Sequence, residues 1–231
     1  MLNNVQPMIK LWYALVDSSN QKYEDQVYPQ LSISELNRLG SIKNELKKHE
    51  YLLSRALMRH ALSLQFKRPS SEWQFIEQSN LAPKINNLPD NCHFSLSHSH
   101  GRICLALSNE PVGIDIEQKK MRPNFSSLAN AFMNQKEAQL LDSRKSPNVD
   151  IFYKIWCAKE ASYKITPTCL QQKLFLKQID YFALTKGTCD QNLSQGLIEQ
   201  CHLALVTHSK PQNIKKQLAY TFEGGVQIEW F

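Results

Sequence analysis

Apolar positions along this chain follow two rhythms, one of period two and one near period 3.6, and the alternation between them predicts an order of strands and helices. The run LWYALVD (11–17) is aromatic and branched and predicts a first strand. Residues 32–64 carry helical spacing and strong helix formers, enough for two helices, with Ser34 and Glu35 marking a start. WQFIEQ (73–78) predicts a short strand, and the Asn- and Pro-dense 79–91 a loop. The apolar runs 92–97 and 103–108 flank the polar SHSHGR and predict a hairpin. A turn at Asn109, Glu110 and Pro111 then leads into a strand at VGIDIEQ (112–118). Helices are predicted over 124–141 and 150–165, the second ending before Pro167, and strands over 174–185, 201–208 and 226–231.

Strand, helices and about three closing strands thus occur twice. The chain divides into 1–109 and 110–231, and the expected fold is α+β, a pseudodimer of two similar α/β halves with the active site between them. With 231 residues, 42% of them hydrophobic, the chain is long enough for a real core. Its 27 basic and 21 acidic residues leave a charge of +6, which suits an acidic or phosphate-bearing partner. The six cysteines include no CxxC pair, and no uninterrupted apolar stretch is long enough to cross a bilayer. These features predict a cytoplasmic protein with reduced thiols and no membrane association.

Candidate chemistry sits in four places. Asp115 and Glu117 are two apart on a strand, so both carboxylates face one way, as a half-site for a hard cation or as two solvated acids. In FYKIWCAKEASYK (152–164), Trp156, Glu160 and Lys164 fall at successive i, i+4 positions, with Phe152 extending that face. Such a face can add an acid to a metal and a cation to a phosphate, or be an ordinary helix pair beneath a core Trp. Ser97, His98, Ser99 and His100 sit where a strand enters a turn, either a phosphate contact or polar turn residues. Lys47, Lys48, His49, Arg55 and Arg59 make a basic run on a helix, and Lys84 lies in the loop before the hairpin.

The order of FSLSHS, VGIDIE and FYKIWCAKEASYK, spaced as they are, resembles the Sfp-type phosphopantetheinyl transferases over roughly residues 45–165. That resemblance implies an Mg2+-dependent enzyme that moves the 4'-phosphopantetheine arm of coenzyme A onto a serine of an apo acyl or peptidyl carrier protein, releasing adenosine 3',5'-bisphosphate. It implies Asp115, Glu117 and Glu160 as the metal ligands, with Glu160 as candidate base and Lys164 as a cation near the phosphates. It implies coenzyme A contacts from His98 at the 3'-phosphate, with Ser97 beside it, and from Lys84, Lys48, Arg55 and Lys159, the last toward adenosine phosphate or solvent. The loop reads LAPKI where relatives often have GKP. Trp156 is expected to anchor the helix in the core, and Cys157 and Ala158 to pack.

Two other classes share some of these residues. A metal-dependent phosphohydrolase or nuclease would use the same acids without a carrier, and a coenzyme A-binding module would not need three acids. The resemblance favours a protein acceptor over nucleic acid, and a monomer. Residues 119–133 pair Lys119, Lys120 and Arg122 with Met121, Phe125 and Phe132, and Met121 and Phe125 are expected to touch the carrier.

Overall fold

In the computed structural model, the described residues are 8–79, 81–123, 125–141, 148–211, 214 and 218–231. The chain opens with β1 (Ile9–Leu15), α1 (Gln21–Val27), α2 (Ile33–Ser41) and α3 (Glu45–Phe66), then β2 (Phe75–Ile76) and β3 (Lys84–Ile85). A hairpin of β4 (His93–Ser99) and β5 (Arg102–Ser108) leads into β6 (Val112–Gln118). The helices α4 (Phe125–Phe132), α5 (Gln135–Gln139), α6 (Val149–Ile165), α7 (Thr168–Gln171) and α8 (Tyr181–Lys186) follow. The chain closes on β7 (Asn192–Ile198), β8 (Cys201–Thr207), β9 (Leu218–Tyr220), β10 (Gly225–Gln227) and β11 (Glu229–Trp230).

Two sheets form the centre, one ordered β10-β9-β1-β5-β4 and the other β11-β7-β8-β6. Period-two patterning explains how they stack. Leu11 and Tyr13 of β1 pack with Cys104 and Ala106 against Ile114, Ile116, Leu203 and Leu205 of the second sheet. The alternate residues Trp12 and Ala14 face the other way, onto Leu53, Leu57, Met58 and Ala61 of α3. On the far side, Cys157, Ala161 and Ile165 of α6 cover Ala204 and Val206 of β8. The layers are therefore helix, sheet, sheet, helix.

Several expectations change in detail. The α2 cap is Ser32 rather than Ser34: its hydroxyl accepts from Glu35 N at 3.3 Å, and the Glu35 carboxylate accepts from Ser32 N at 2.8 Å. The segment read as a strand over 174–185 is a helical turn (Leu176–Gln178) followed by α8. Asp180 caps α8 by accepting from Phe182 N at 2.9 Å, and Gly187 ends it with φ 61, so capping overrode the β-rich composition. The helix expected over 124–141 ends at Phe132, and Asn134 starts α5 with its own capping box; residue 124 lies outside the described residues. The 226–231 run divides at Ile228, β10 joining the first sheet and β11 the second. Strand β7 carries no clean alternation, since the polar Gln195 is buried and the apolar Leu197 only half-buried. Strands β9 and β10, in the second half by sequence, extend the first half's sheet through a parallel pairing of β9 with β1.

Helix α6 comes into backbone contact with its sheet at Gly113. A Cβ placed there would lie 1.9 Å from Ala161 O. Gly113→Ala must push α6 off β6, and we expect a loss of about 3 kcal/mol or more, at the upper end for overpacking. A thermal melt within a degree or two of the parent would contradict this packing.

Candidate functional site

Ser95, Ser97 and Ser99 alternate along β4, so their hydroxyls line one face. That face meets β6, the neighbouring edge of the other sheet. The Ser95, Ser97 and Ser99 Oγ atoms accept from the N–H groups of Ile114 at 3.0 Å, Ile116 at 3.2 Å and Gln118 at 3.4 Å. Ser97 Oγ also donates to Asp115 Oδ1 at 2.7 Å, and Ser99 Oγ to Glu117 Oε2 at 2.7 Å. Each of these two hydroxyls thus satisfies a strand amide and aims the carboxylate beside it.

Helix α6 adds Glu160 and Lys164 to the same place. Lys164 Nζ lies 2.7 Å from Asp115 Oδ1 and 3.1 Å from Ile114 O. Asp115 is buried, and its Oδ2 has no hydrogen-bond partner. Burial and then the Asp115 charge push Glu160 up to about 7, with Glu117 adding to the rise and Lys164 opposing it. Burial and the Asp115 charge also raise Glu117, against the hydrogen bond from Ser99. Cys157, enclosed beneath these acids, is raised well above the ordinary thiol range, first by burial and then by Asp115 and Glu117, and is unreactive packing. Trp156 is half-buried, parallel to Phe152 at 6.2 Å and edge-on to Phe132 at 4.7 Å.

The other sequence candidates lie elsewhere. His98 faces away from the acids, and its Nδ1 is 3.2 Å from Glu50 Oε2. Lys48 pairs with Glu45 at 2.7 Å on the surface of α3. Lys84 is exposed on β3. Arg55 is corrected: it is buried, donates to Glu77 Oε1 at 2.6 Å and lies against Glu35, so its charge is used inside the fold. Lys159 is corrected likewise, for its Nζ is fully enclosed, 2.6 Å from Glu137 and donating to Phe132 O and Leu176 O. Phe125 and Phe132 are buried against Phe152, which removes Phe125 from the exposed surface, while Met121 is 56% exposed. Sequence reading missed Ser95 and Ser99 as carboxylate-side residues, although the same-face argument used for Asp115 and Glu117 applies to them. It also missed Glu50, an acid inside a basic run.

Could these residues hold a hard cation? Among the described residues no three ligating side chains already form a closed metal cage. The donor chemistry nevertheless fits: oxygen ligands only, a buried unpartnered carboxylate oxygen at Asp115, and acids whose mutual repulsion a cation would relieve. Asp115, Glu117 and Glu160 would hold it.

Because Glu160 is raised in the fold, it favours folding when protonated, below its unfolded value near 4.5, and that contribution is lost as pH rises through about 7. Glu160→Gln should therefore melt higher than the parent at pH ~8, by about 1–3 kcal/mol, with the gain shrinking toward pH ~5. A gain independent of pH, or a loss at pH ~8, would contradict the carboxylate crowding.

Comparison with known proteins agrees with this arrangement. Residues 111–219, which hold β6, α6 and β8, match the model of the 4'-phosphopantetheinyl transferase superfamily. The chain is 36% identical over 117 residues to 4'-phosphopantetheinyl transferase Sfp of Bacillus subtilis (strain 168), covering 50% of this chain and 51% of that protein. It is 30% identical over 146 residues to 4'-phosphopantetheinyl transferase ffp of Bacillus subtilis, covering 63% and 64%. These matches span between about half and two thirds of the relatives' length. It is also 30% identical over 168 residues to 4'-phosphopantetheinyl transferase AcpT of Escherichia coli (strain K12), covering 71% of this chain and 81% of that protein. With that coverage, and with the matched region carrying the acids and the helix lysine, the chain belongs to the 4'-phosphopantetheinyl transferase superfamily.

Proposed function

We propose that this chain transfers the 4'-phosphopantetheine arm of coenzyme A to a serine hydroxyl of an apo acyl or peptidyl carrier protein. The observation that carries the reading is the convergence of Asp115, Glu117 and Glu160, with Lys164 at their edge and one Asp115 oxygen left without a partner. Mg2+ held by these acids would neutralise charge on the pyrophosphate of coenzyme A. The chain's own residues do the rest. Glu160 accepts the proton of the incoming serine hydroxyl. The serine oxygen bonds to the β-phosphorus, the phosphoanhydride bond breaks, and adenosine 3',5'-bisphosphate leaves with the electron pair. Lys164 supplies a point cation beside the phosphate oxygens. Ser97 and Ser99 keep Asp115 and Glu117 aimed throughout.

Layering supports the pseudodimer reading, with residues 1–109 and 110–231 as coenzyme A-binding and metal-binding halves: each central sheet is backed by one long helix, and the acids lie at the β4–β6 join between them. In this reading His98, Lys48 and Lys84 serve the nucleotide end of coenzyme A. The exposed Met121, between Lys120 and Arg122, offers an apolar contact rimmed by cations for an acidic carrier. We also place the protein in the cytoplasm as a monomer. Six free cysteines fit a reducing compartment. No described helix is long and apolar enough to cross a membrane.

The test is incubation with coenzyme A, Mg2+ and an apo carrier, reading the carrier's intact mass. The parent should add one phosphopantetheine arm. Asp115→Asn, which keeps size and loses charge, should lower kcat by about 100-fold or more while remaining folded. Release of adenosine 3',5'-bisphosphate without modification of any carrier would point to a hydrolase instead. Near-normal turnover by Asp115→Asn would remove Asp115 from the site.

A further inference from the structure

The turn that joins β4 to β5 consists of His100 and Gly101, and both take left-handed backbone angles, φ 50 and φ 80. That pair of angles suits the twist of a tight hairpin, but a histidine adopts it at a cost that glycine does not meet. The turn is tied to its surroundings. Gly101 N donates to the buried Glu50 Oε1 at 2.6 Å, Gly101 O accepts from Val16 N at 2.7 Å, and His100 O accepts from Arg102 Nη1 at 3.2 Å. These bonds fix the backbone from which the His100 ring projects. The ring Nδ1 lies 3.1 Å from Oγ of Ser99, the hydroxyl that reaches Glu117.

The protons around Ser99 Oγ decide what His100 does there. A hydroxyl has one hydrogen and two lone pairs. The hydrogen goes to Glu117 Oε2 at 2.7 Å, since an ionised carboxylate only accepts. One lone pair takes the N–H of Gln118 at 3.4 Å. His100 must then donate to the other, so Nδ1 carries the ring proton. Burial, and then the Lys120, Arg122 and Lys47 charges, lower the His100 ring against the opposing Glu50, so at pH ~8 it is neutral and has one proton to place. With that proton on Nε2, Nδ1 would be an acceptor, and Ser99 would have to turn its hydrogen from Glu117 to the ring.

We propose that His100 is a positioning residue for the cation site: by donating Nδ1–H to Ser99 Oγ it keeps the Ser99 hydroxyl directed at Glu117, and so fixes the carboxylate that Glu117 offers to Mg2+. This rests on the reading of Asp115, Glu117 and Glu160 as the acids that hold the metal. His100 acts on the site through Ser99.

The experiment measures the Mg2+ dissociation constant of the parent, His100→Gly and His100→Asn from the rise of melting temperature with Mg2+ concentration, at pH ~8 with neither coenzyme A nor carrier present. Glycine and asparagine both accept left-handed angles, so neither substitution strains the turn. Glycine removes the donor, whereas the asparagine amide places an N–H where His100 has Nδ1. His100→Gly should bind Mg2+ about fivefold more weakly, the worth of one neutral hydrogen bond, and His100→Asn should stay within about twofold of the parent. In a Ser99→Ala background, His100→Gly should change the constant by less than about twofold, because the bond that carries its effect is gone. Parent-like affinity in His100→Gly would overturn the inference and leave the metal reading standing. So would His100→Asn binding as weakly as His100→Gly, or the full loss from His100→Gly persisting without the Ser99 hydroxyl. A parent whose melting temperature does not respond to Mg2+ would overturn both.

Discussion

Three serine hydroxyls carry the join between the two sheets. β4 and β6 are edge strands of different sheets, and between them the Oγ atoms of Ser95, Ser97 and Ser99 stand in for carbonyl acceptors toward the N–H groups of β6. A buried strand amide left without an acceptor costs about 1–3 kcal/mol, so the join depends on these hydroxyls being present in register. A hydroxyl that accepts from the backbone can still donate. At Ser97 and Ser99 that second bond goes to Asp115 and Glu117. The contact that holds the sheets together therefore also sets the direction of the acids.

The rest of the site follows from that placement. Gly113 lets α6 approach β6 to backbone contact, and the approach brings Glu160 and Lys164 over the strand acids. Lys164 satisfies one oxygen of Asp115 and leaves the other bare. The result is a folded arrangement under electrostatic strain: burial and neighbouring carboxylates raise both Glu117 and Glu160. Such crowding opposes folding in isolation and is relieved by a bound cation or by a proton.

Much of this was legible in the sequence, and what was not has a physical reason. Period two placed Asp115 and Glu117 on one face, and i, i+4 spacing placed Glu160 with Lys164, because both rules are local geometry. The fates of Arg55 and Lys159 were hidden, since their partners Glu77 and Glu137 lie 22 residues away in either direction along the chain (77 − 55 and 159 − 137) and spacing carries no record of them. His98 was found as a candidate, but its neighbour Glu50 comes from a helix far earlier in the chain. The strand expected over 174–185 failed where one capping Asp outweighed a β-rich composition. Strand β9 was missed because three residues pairing in parallel with β1 leave no periodic signal of their own.

If the three acids are held together against their own repulsion, a divalent cation must stabilise the fold, whether or not any substrate is present. The direct measurement is the thermal melt of the parent and of Asp115→Asn, with and without Mg2+, at pH ~8 where Glu160 is ionised. The parent should melt several degrees higher with Mg2+, and Asp115→Asn should show little or no rise. An equal rise in both proteins, or none in the parent, would contradict the claim that these carboxylates form one cation site.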